Sequence, residues 1–366
     1  PDGPTQIVLD GFTVPSANNH NFANGLRWGP DGWLYGRCGG SAPGEVGIPG
    51  PPAVDRIPLR GTIWRDHPRT QVFEALSCGC TNPWGHDWDR HGQLFFINTV
   101  TGHFWHHITG NHMKRSSTID PNPYSYELMD HHADHWHFDT TGSWGKSRNG
   151  AANEFGGGHA HIGMIIYQGD HWPEEYRHNV YTVNMHGKRI NREILERRGS
   201  GYVAKHAPDF LIAKDPFFRA LELTTGPDGS VFLLDWSDTG ECHENTGVHR
   251  TSGRIYRITH GKVASDAQRG LMKPWQPLAL TYCTHANPWF HRMTALEIRH
   301  ETGGDPMAAA RWAEGLESLL DAAGPAPERL RGLFILHQLD VLPDEILRNL
   351  LKDHDEHLRT WAIRLL

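Results

Sequence analysis

Histidine is the residue type whose number and spacing most clearly point to chemistry in this chain. The 366 residues include 27 histidines, and eight of these fall between His103 and His137. Imidazole is the commonest transition-metal ligand, and two histidines spaced two residues apart on a strand place both rings on one face. The spacing predicts a metal or proton-transfer site; the alternative is a histidine-rich polar loop packed on aromatic neighbours. The candidate metal ligands are His131, His135, His159 and His161.

Charged side chains at the ends of predicted strands are further candidates. Asp235 and Asp238 flank Trp236 at the end of one such strand. Loops at strand ends commonly carry binding residues, so these carboxylates either line a pocket or cap turns. Arg189 lies in a predicted hairpin, where its guanidinium either binds an anionic ligand through paired donors or is solvated.

The composition excludes several classes of function. Lys and Arg total 35 against 42 Asp and Glu, the net charge is −7, and no basic run stands out, so a nucleic-acid-binding surface is not expected. The longest apolar stretches are far shorter than the roughly 20 residues needed to cross a bilayer, so no membrane span is predicted. No Cys-x-x-Cys-His motif occurs, and we therefore expect no covalently bound haem in this chain.

The elements that must position these residues are, over the first two thirds of the chain, short strands separated by turns. One strand–turn–strand unit recurs imperfectly, and its clearest copies carry Pro-Asp-Gly at the turn. The copies span residues 24–35, 84–96, 175–183 and 221–235, of which the third is the weakest. Turn-linked units of four strands that repeat at roughly 50 residues or more predict propeller blades. We expect four blades, with the missing blades supplied by an earlier part of the protein.

The last part of the chain is predicted to be helical. Apolar residues from Leu358 to Leu365 recur at the spacing of one helix face, and short helices joined by polar turns are typical of an α-solenoid of HEAT type. The predicted fold is mainly β and then α. It comprises an incomplete six- or seven-bladed β-propeller over residues 1–262, a linker over 263–280 and truncated HEAT-like helical repeats over 281–366.

Long blocks of the chain resemble a known group of large exported propeller proteins of the Planctomycetes–Verrucomicrobia type. The blocks are residues 24–37, 82–98, 156–167, 186–202 and 226–258. Proteins of that group are described as haem-binding CxxCH proteins or membrane-bound dehydrogenase domains. The resemblance implies a periplasmic or otherwise extracytoplasmic location. It also implies HEAT repeats after the propeller and a cytochrome c-like domain beyond this chain.

That group is in turn more distantly similar to the glucose/sorbosone dehydrogenases, which are six-bladed propellers that use pyrroloquinoline quinone and calcium. His20 precedes a Gly-Pro-Asp turn by nine residues and matches, with a one-residue slip, the base that abstracts the substrate proton. Asn82 matches the Asn of the quinone-binding segment, although Thr81 replaces its Arg and Thr99-Val100 lacks the calcium-binding Gly-Pro. The residues placed around the cofactor are Asn82, His86, His186, Arg189, Asp235 and Asp238.

Three functions follow as hypotheses. The first is an oxidoreductase that oxidises a sugar or alcohol and passes electrons to a haem domain outside this chain. The second is a non-catalytic module that binds a polysaccharide or protein partner, which the 14 tryptophans would suit because their rings stack on sugars. The third is a metal-dependent hydrolase or lactonase that uses the histidine cluster.

Overall fold

The structure is a computed structural model that describes most of the chain. The described residues are 3–14, 16, 19–50, 52, 55–100, 102–114, 127–138, 152–240, 251–262 and 279–366. Nearly all of the predicted linker, residues 263–278, lies outside them, so the predicted domain boundaries stay predictions.

Antiparallel sheets make up the first two thirds of the chain. The first sheet has the strand order β1-β2-β5-β6, with β1 at Asn24–Trp28, β2 at Leu34–Cys38, β5 at Thr62–His67 and β6 at Val72–Ala75. A small ribbon inserted between β2 and β5 consists of β3 (Gly44–Val46) and β4 (Ile57–Leu59).

Three more sheets follow in chain order, each a meander in which neighbouring strands are consecutive. The second contains β7 (Pro83–Trp88), β8 (Leu94–Asn98) and β9 (Trp105–His106). The third contains β10 (His161–Ile166), β11 (Val180–Asn184), β12 (Arg189–Arg198) and β13 (Gly201–Ile212). The fourth contains β14 (Ala220–Thr225), β15 (Val231–Asp235) and β16 (Arg254–Ile258).

The first strands of the four meanders lie against one another. β1 contacts β7, β7 contacts β10, and β10 contacts β14. Arg27 on β1 joins three of them, because its guanidinium donates to the His86 carbonyl at 3.0 Å, to Glu222 at 3.1 Å and to the Leu223 carbonyl at 2.9 Å. Four successive blade-like sheets therefore agree with the predicted β part, while the number of blades in a complete ring stays a prediction.

The third predicted repeat is wrong in its first half. Residues Glu174–Tyr176 form a 3-10 helix after Pro173, and only β11 of the predicted unit is a strand. Proline at the start of this turn presets the backbone φ and favours helical over extended geometry. The strand that pairs with β11 is instead β10, which lies earlier in the chain.

A continuous apolar core fills the space between the second and third sheets. Phe95 and Ile97 on β8 pack with Met164 and Ile166 on β10 and with Val180 on β11, and all five are buried. Each such side chain contributes about 1.5–3 kcal/mol when it leaves water. This core holds the two sheets together at the place where the histidine-rich segment enters.

Helices form the rest of the described structure. The short α1 (Ala152–Phe155) precedes the third sheet. The C-terminal helices are α2 (Ala279–Cys283), α3 (Pro288–Thr302), α4 (Pro306–Asp321), α5 (Ala326–Gln338), α6 (Asp344–Leu350) and α7 (Glu356–Leu365). Side-chain caps from Asn287, Asp305 and Asp355 begin α3, α4 and α7, because each accepts a hydrogen bond from an otherwise unpaired backbone amide. The predicted helical part is confirmed, and its assignment to HEAT repeats stays a prediction.

The C-terminal helices cover the end of the sheets where the first hairpin turns lie. Gln338 donates to the Pro30 carbonyl at 2.8 Å, Trp361 to the His91 carbonyl at 2.7 Å and Asn287 to the Gly226 carbonyl at 3.1 Å. Three of the four meanders thus touch the helices through the same kind of turn. Within the described ranges, no helix has both the length and the apolar character required to span a bilayer.

Candidate metal centre

Three imidazoles and one carboxylate converge between the second and third sheets. They belong to His103, in the loop between β8 and β9, to His135 and His137, in the segment 127–138, and to Glu193 on β12. One ligand atom from each residue lies within 4.8 Å of every other. We call these four residues the His3Glu group.

The distances within the His3Glu group suit a single ion. Glu193 Oε1 lies 3.0 Å from His103 Nε2, 3.3 Å from His137 Nε2 and 3.6 Å from His135 Nε2. The Nε2 atoms of His135 and His137 are 3.1 Å apart. Donor atoms spaced by about 3 Å can share one ion at the roughly 2.0–2.2 Å bond lengths that imidazole and carboxylate make to transition metals.

The carboxylate of Glu193 is unusual because a charged side chain is seldom fully buried. Glu193 is fully buried, as are His103 and His137, whereas the His135 side chain keeps 17% of its surface exposed. Neither oxygen of Glu193 and neither ring nitrogen of His103 has a well-aligned hydrogen bond within the described residues. A buried charge that lacks hydrogen bonds is costly unless it is paired or coordinates a metal, so these orphaned atoms indicate a ligand site.

The protonation states of Glu193 and His137 suit coordination. Burial by itself raises the pKa of Glu193, but the neighbouring imidazoles, chiefly that of His103, outweigh it and hold the pKa well below its ordinary value. Burial, together with His103 and His161, keeps the pKa of His137 well below its ordinary value. Ionised carboxylate and neutral imidazole are the forms that bind transition metals. Burial by itself lowers the pKa of His135, but the carboxylates of Glu193 and Asp134 outweigh it and raise the pKa, so this ring must lose its proton to bind an ion.

A second layer of polar contacts orients the ligand rings. His137 Nδ1 lies 3.1 Å from His161 Nε2, and His161 Nδ1 lies 3.3 Å from Thr182 Oγ1. His135 Nδ1 lies 2.9 Å from Asp134 Oδ1. Partners at the remote ring nitrogen determine the tautomer and direct Nε2 toward the point where the four ligand atoms converge, as in many metal sites.

Backbone pairing places the histidine-rich segment. The His132 amide donates to the Phe104 carbonyl at 2.8 Å, and the Ala204 amide on β13 donates to the His132 carbonyl at 2.9 Å. The segment is thus attached to both the second and the third sheet. Gly156 has φ +115°, and a Cβ there would lie 2.8 Å from His137 Cδ2, so only glycine lets the His137 ring occupy its place.

Residues 4–262 match the model of a domain of unknown function, DUF7133. The match covers more than half of the chain and includes all four residues of the His3Glu group. The chain belongs to the DUF7133 family. No sequence among the curated proteins matches the chain.

Two solved structures resemble the chain in part. One is a putative oxidoreductase described as a glucose dehydrogenase from Thermus thermophilus, with 19% identity, coverage of 63% of each chain and a TM-score of 0.40. The other is the PQQ-bound aldose sugar dehydrogenase from Streptomyces coelicolor, with 18% identity, coverage of 65% of this chain and 62% of that one, and a TM-score of 0.41. The chain spans less than two thirds of the length of either. Similarity of this extent does not transfer their activities to the DUF7133 domain.

Of the four metal ligands predicted from the sequence, the His3Glu group contains only His135. His161 lies behind His137, as the hydrogen-bond distances above show. The ring centres of His131 and His103 are 5.7 Å apart, and the His159 ring meets the His186 ring at 4.6 Å. The sequence pattern pairs His137 with His135 on one strand face without placing it among the four ligands, and it leaves out His103 and Glu193 altogether. His103 and His137 are the first and last histidines of the dense stretch. Glu193 lies among other charged residues of β12, and no local sequence pattern distinguishes it.

Three of the predicted residues, His20, Asn82 and His86, lie in or beside β7. The His20 carbonyl accepts a hydrogen bond from Trp84 Nε1 at 3.1 Å, and the Asn82 amide donates to Asn98 at 2.8 Å. His86 is fully buried, and its Nδ1 lies 3.3 Å from Arg37 Nη1. Their predicted roles at a quinone stay predictions.

The remaining predicted cofactor residues have protein partners of their own. Arg189 donates to Asp209 and to Asn153, each at 2.7 Å. Asp235 accepts from the Arg219 amide at 2.8 Å and from Arg254 Nε at 2.7 Å, and its neighbour Asp238 accepts from the Gly240 amide at 3.0 Å. Both ends of the Arg189 fork and both oxygens of Asp235 thus have protein partners, and the predicted roles of these residues at a cofactor stay predictions.

Proposed function

We propose that the DUF7133 domain is a metalloprotein in which His103, His135, His137 and Glu193 hold one divalent transition-metal ion. The observation that supports this function is the convergence of three imidazole nitrogens on a buried carboxylate oxygen that lacks hydrogen bonds of its own. The blade-like sheets serve as the rigid scaffold, since the ligands come from two sheets and from the segment between them.

The donor set narrows the choice of ion and of chemistry. Three nitrogens and one oxygen suit Zn²⁺, Fe²⁺, Ni²⁺ or Cu²⁺ better than Ca²⁺ or Mg²⁺, which prefer oxygen ligands. Four protein ligands complete a tetrahedral shell, whereas a six-coordinate ion keeps two positions open. Any water or substrate must arrive beside His135, because the other three ligands are buried. Lewis-acid activation of water there would support the hydrolase or lactonase hypothesis.

Metal analysis tests this function directly. The chain, purified without chelators, is incubated with each of the four ions in turn, desalted and analysed for bound metal. We expect about one equivalent of the preferred ion in the unmodified chain. We expect a loss of affinity in Glu193→Gln and His137→Ala beyond the roughly 10- to 100-fold typical of second-layer changes.

His131→Ala is the matched control, because His131 is a histidine of the same segment that lies outside the His3Glu group. It should bind metal as the unmodified chain does. Absence of stoichiometric metal from the unmodified chain, or equal losses in Glu193→Gln and His131→Ala, would reject the proposed centre.

The sugar or alcohol oxidoreductase is the second candidate function, and the position of His20 beside β7, where its carbonyl accepts a hydrogen bond from Trp84, favours it. In that proposal His20 takes the hydroxyl proton, and a haem domain outside this chain receives the electrons. This proposal includes the extracytoplasmic location that the sequence resemblance implies. Dye reduction by the chain with added quinone, calcium and a panel of sugars tests it, and turnover that survives His20→Ala would contradict the role of His20.

A further inference from the structure

A cavity lies between the C-terminal helices and the ends of the sheets, away from the His3Glu group. Its volume is about 280 Å³, slightly below the range usual for small-molecule sites. Residues at the ends of β1, β7, β10 and β14 form one wall, and α3 and α5 form the other. None of the four proposed metal ligands lines it.

The lining of the cavity carries an excess of positive charge. Two carboxylates, those of Asp87 and Asp89, face five guanidinium groups. The arginines are Arg27, Arg90, Arg292, Arg299 and Arg331. Asp89 is already satisfied by the backbone amides of His91 and Gln93, at 2.9 and 2.8 Å. Outside the lining, Glu222 pairs with Arg27 at 3.1 Å. Four arginines then remain against the two carboxylates of the lining.

Two arginines of α3 are the least committed to protein partners. Arg292 keeps 45% of its side chain exposed and reaches Asp87 at only 3.4 Å. Arg299 lies over the Trp28 ring at 5.1 Å and makes one long hydrogen bond, of 3.4 Å, to the Gly32 carbonyl. Both retain donors for a ligand, because each guanidinium has five N–H groups.

The charge excess also affects neighbouring groups. Burial lowers the pKa of His291 well below its ordinary value, and the nearby Arg331 and Arg292 lower it further. Burial likewise lowers the pKa of Arg331, an effect that Glu328 and Cys283 oppose and that Arg292 reinforces. These shifts agree with a local positive potential, which an anion would relieve.

Aromatic rings supply the rest of the wall. Trp28, Trp289 and Phe334 line the same cavity as the arginines. A flat apolar body packs favourably on such rings, whereas a lone inorganic ion would leave them in contact with water. The cavity thus combines a cationic region with an apolar region in one partly open space.

We propose that this cavity binds a small organic anion, a carboxylate or a phosphate monoester. Its charged group pairs with Arg292 and Arg299, and its apolar body lies against Trp28 and Trp289. The helices and the sheets both contribute to this site, so the ligand bridges the two parts of the chain.

Calorimetric titration of the full chain tests the proposal with four probes: benzoate, phenyl phosphate, benzyl alcohol and inorganic phosphate. We expect saturable binding of at least one of the two aromatic anions, weaker binding of inorganic phosphate and none of the alcohol. The affinity for benzoate, compared with that for phenyl phosphate, shows whether the site prefers a carboxylate or a phosphate group. Arg292→Gln should weaken the binding about tenfold, the typical effect of removing one charge-assisted hydrogen bond.

Arg348→Gln is the matched control, since Arg348 is an exposed helix arginine outside the cavity. It should bind the anions as the unmodified chain does, with both variants checked for an unchanged melting temperature. The proposal is overturned if neither aromatic anion saturates, if the alcohol binds as tightly as the anions, or if Arg292→Gln and Arg348→Gln bind alike. These outcomes are independent of the metal centre, because no ligand of the His3Glu group is altered.

Discussion

At the scale of single residues, the candidate metal centre depends on one side chain that no local pattern reveals. Glu193 alternates with Arg189 and Asn191 along β12, and all three are buried. Arg189 is neutralised by Asp209, whereas the ion-pair partners of Glu193 among the described residues are all imidazoles. The difference between a structural ion pair and a ligand site therefore lies in the partner that the fold supplies.

The pair His159 and His161 offers a residue-scale prediction. Both are buried, but His161 contacts His137 Nδ1, whereas His159 packs on His186. His161→Gln should weaken metal binding by roughly 10- to 100-fold, because it removes the group that orients a ligand ring. Competition against a chelator of known affinity measures the change, and His159→Gln is the control. Equal affinities in the two variants would show that His161 does not position His137.

At the scale of elements, the turn between β7 and β8 is held by a buried carboxylate. Asp89 accepts hydrogen bonds from the amides of His91 and Gln93, and Tyr202 on β13 donates to it at 3.2 Å. Burial by itself raises the pKa of Asp89, but the His91 imidazole, followed by the amides of Gln93 and His91, outweighs it, so the pKa lies below the ordinary value. The turn is therefore stabilised by the ionised form.

Asp89→Asn should lower the free energy of unfolding at pH 7 by about 1.5–3 kcal/mol, the usual contribution of hydrogen bonds to a charged group. Because the folded-state pKa is the lower one, this contribution is present above the unfolded value of about 3.9 and disappears as the pH falls through the folded value. Urea unfolding between pH 7 and pH 3 should therefore show that the gap in unfolding free energy between the unmodified chain and Asp89→Asn closes at the acidic end. The exposed Asp344→Asn serves as control, and a gap that widens on acidification would contradict the prediction.

The sequence largely predicted which segments are strands and which are helices. The exception is the 175–183 repeat, and its cause is local. The turns beginning at Gly29 and Gly226 carry Pro-Asp-Gly, and Gly32 and Gly229 adopt positive φ values of +81° and +74°, as the sequence pattern requires. The 175–183 repeat lacks this turn chemistry, and its first half is a 3-10 helix. Turn residues determine local backbone geometry, whereas alternating apolar residues without them do not locate a hairpin.

At the scale of the whole molecule, the helices and the sheets are joined through hairpin turns. The Trp361 ring of α7 is buried against Gly92, where an added Cβ would lie 2.8 Å from its Cζ2 atom. Its indole N–H donates to the His91 carbonyl of the same turn. Arg364 extends the contact by donating to Gln93 at 2.9 Å. One helix thus contacts the same turn that Asp89 stabilises from inside.

Trp361→Phe should lower the free energy of unfolding by about 0.5–1.5 kcal/mol from the lost hydrogen bond alone. Trp312→Phe is the control, because Trp312 packs half-buried in the helical core. Urea unfolding followed by circular dichroism compares the two variants. A larger loss in Trp312→Phe than in Trp361→Phe would mean that the contact between α7 and the turn contributes little to stability.

The sequence by itself determined the strands, the Pro-Asp-Gly turns, the helical C-terminal part and the concentration of histidine, because each depends on residues that are close in the chain. Only the tertiary structure decided which histidines meet, and with which carboxylate. His103, His137 and Glu193 are far apart in sequence, and packing of the second sheet against the third brings them together. The arginine-lined cavity has the same origin, since it exists only where helices from the end of the chain close over the turns of the sheets.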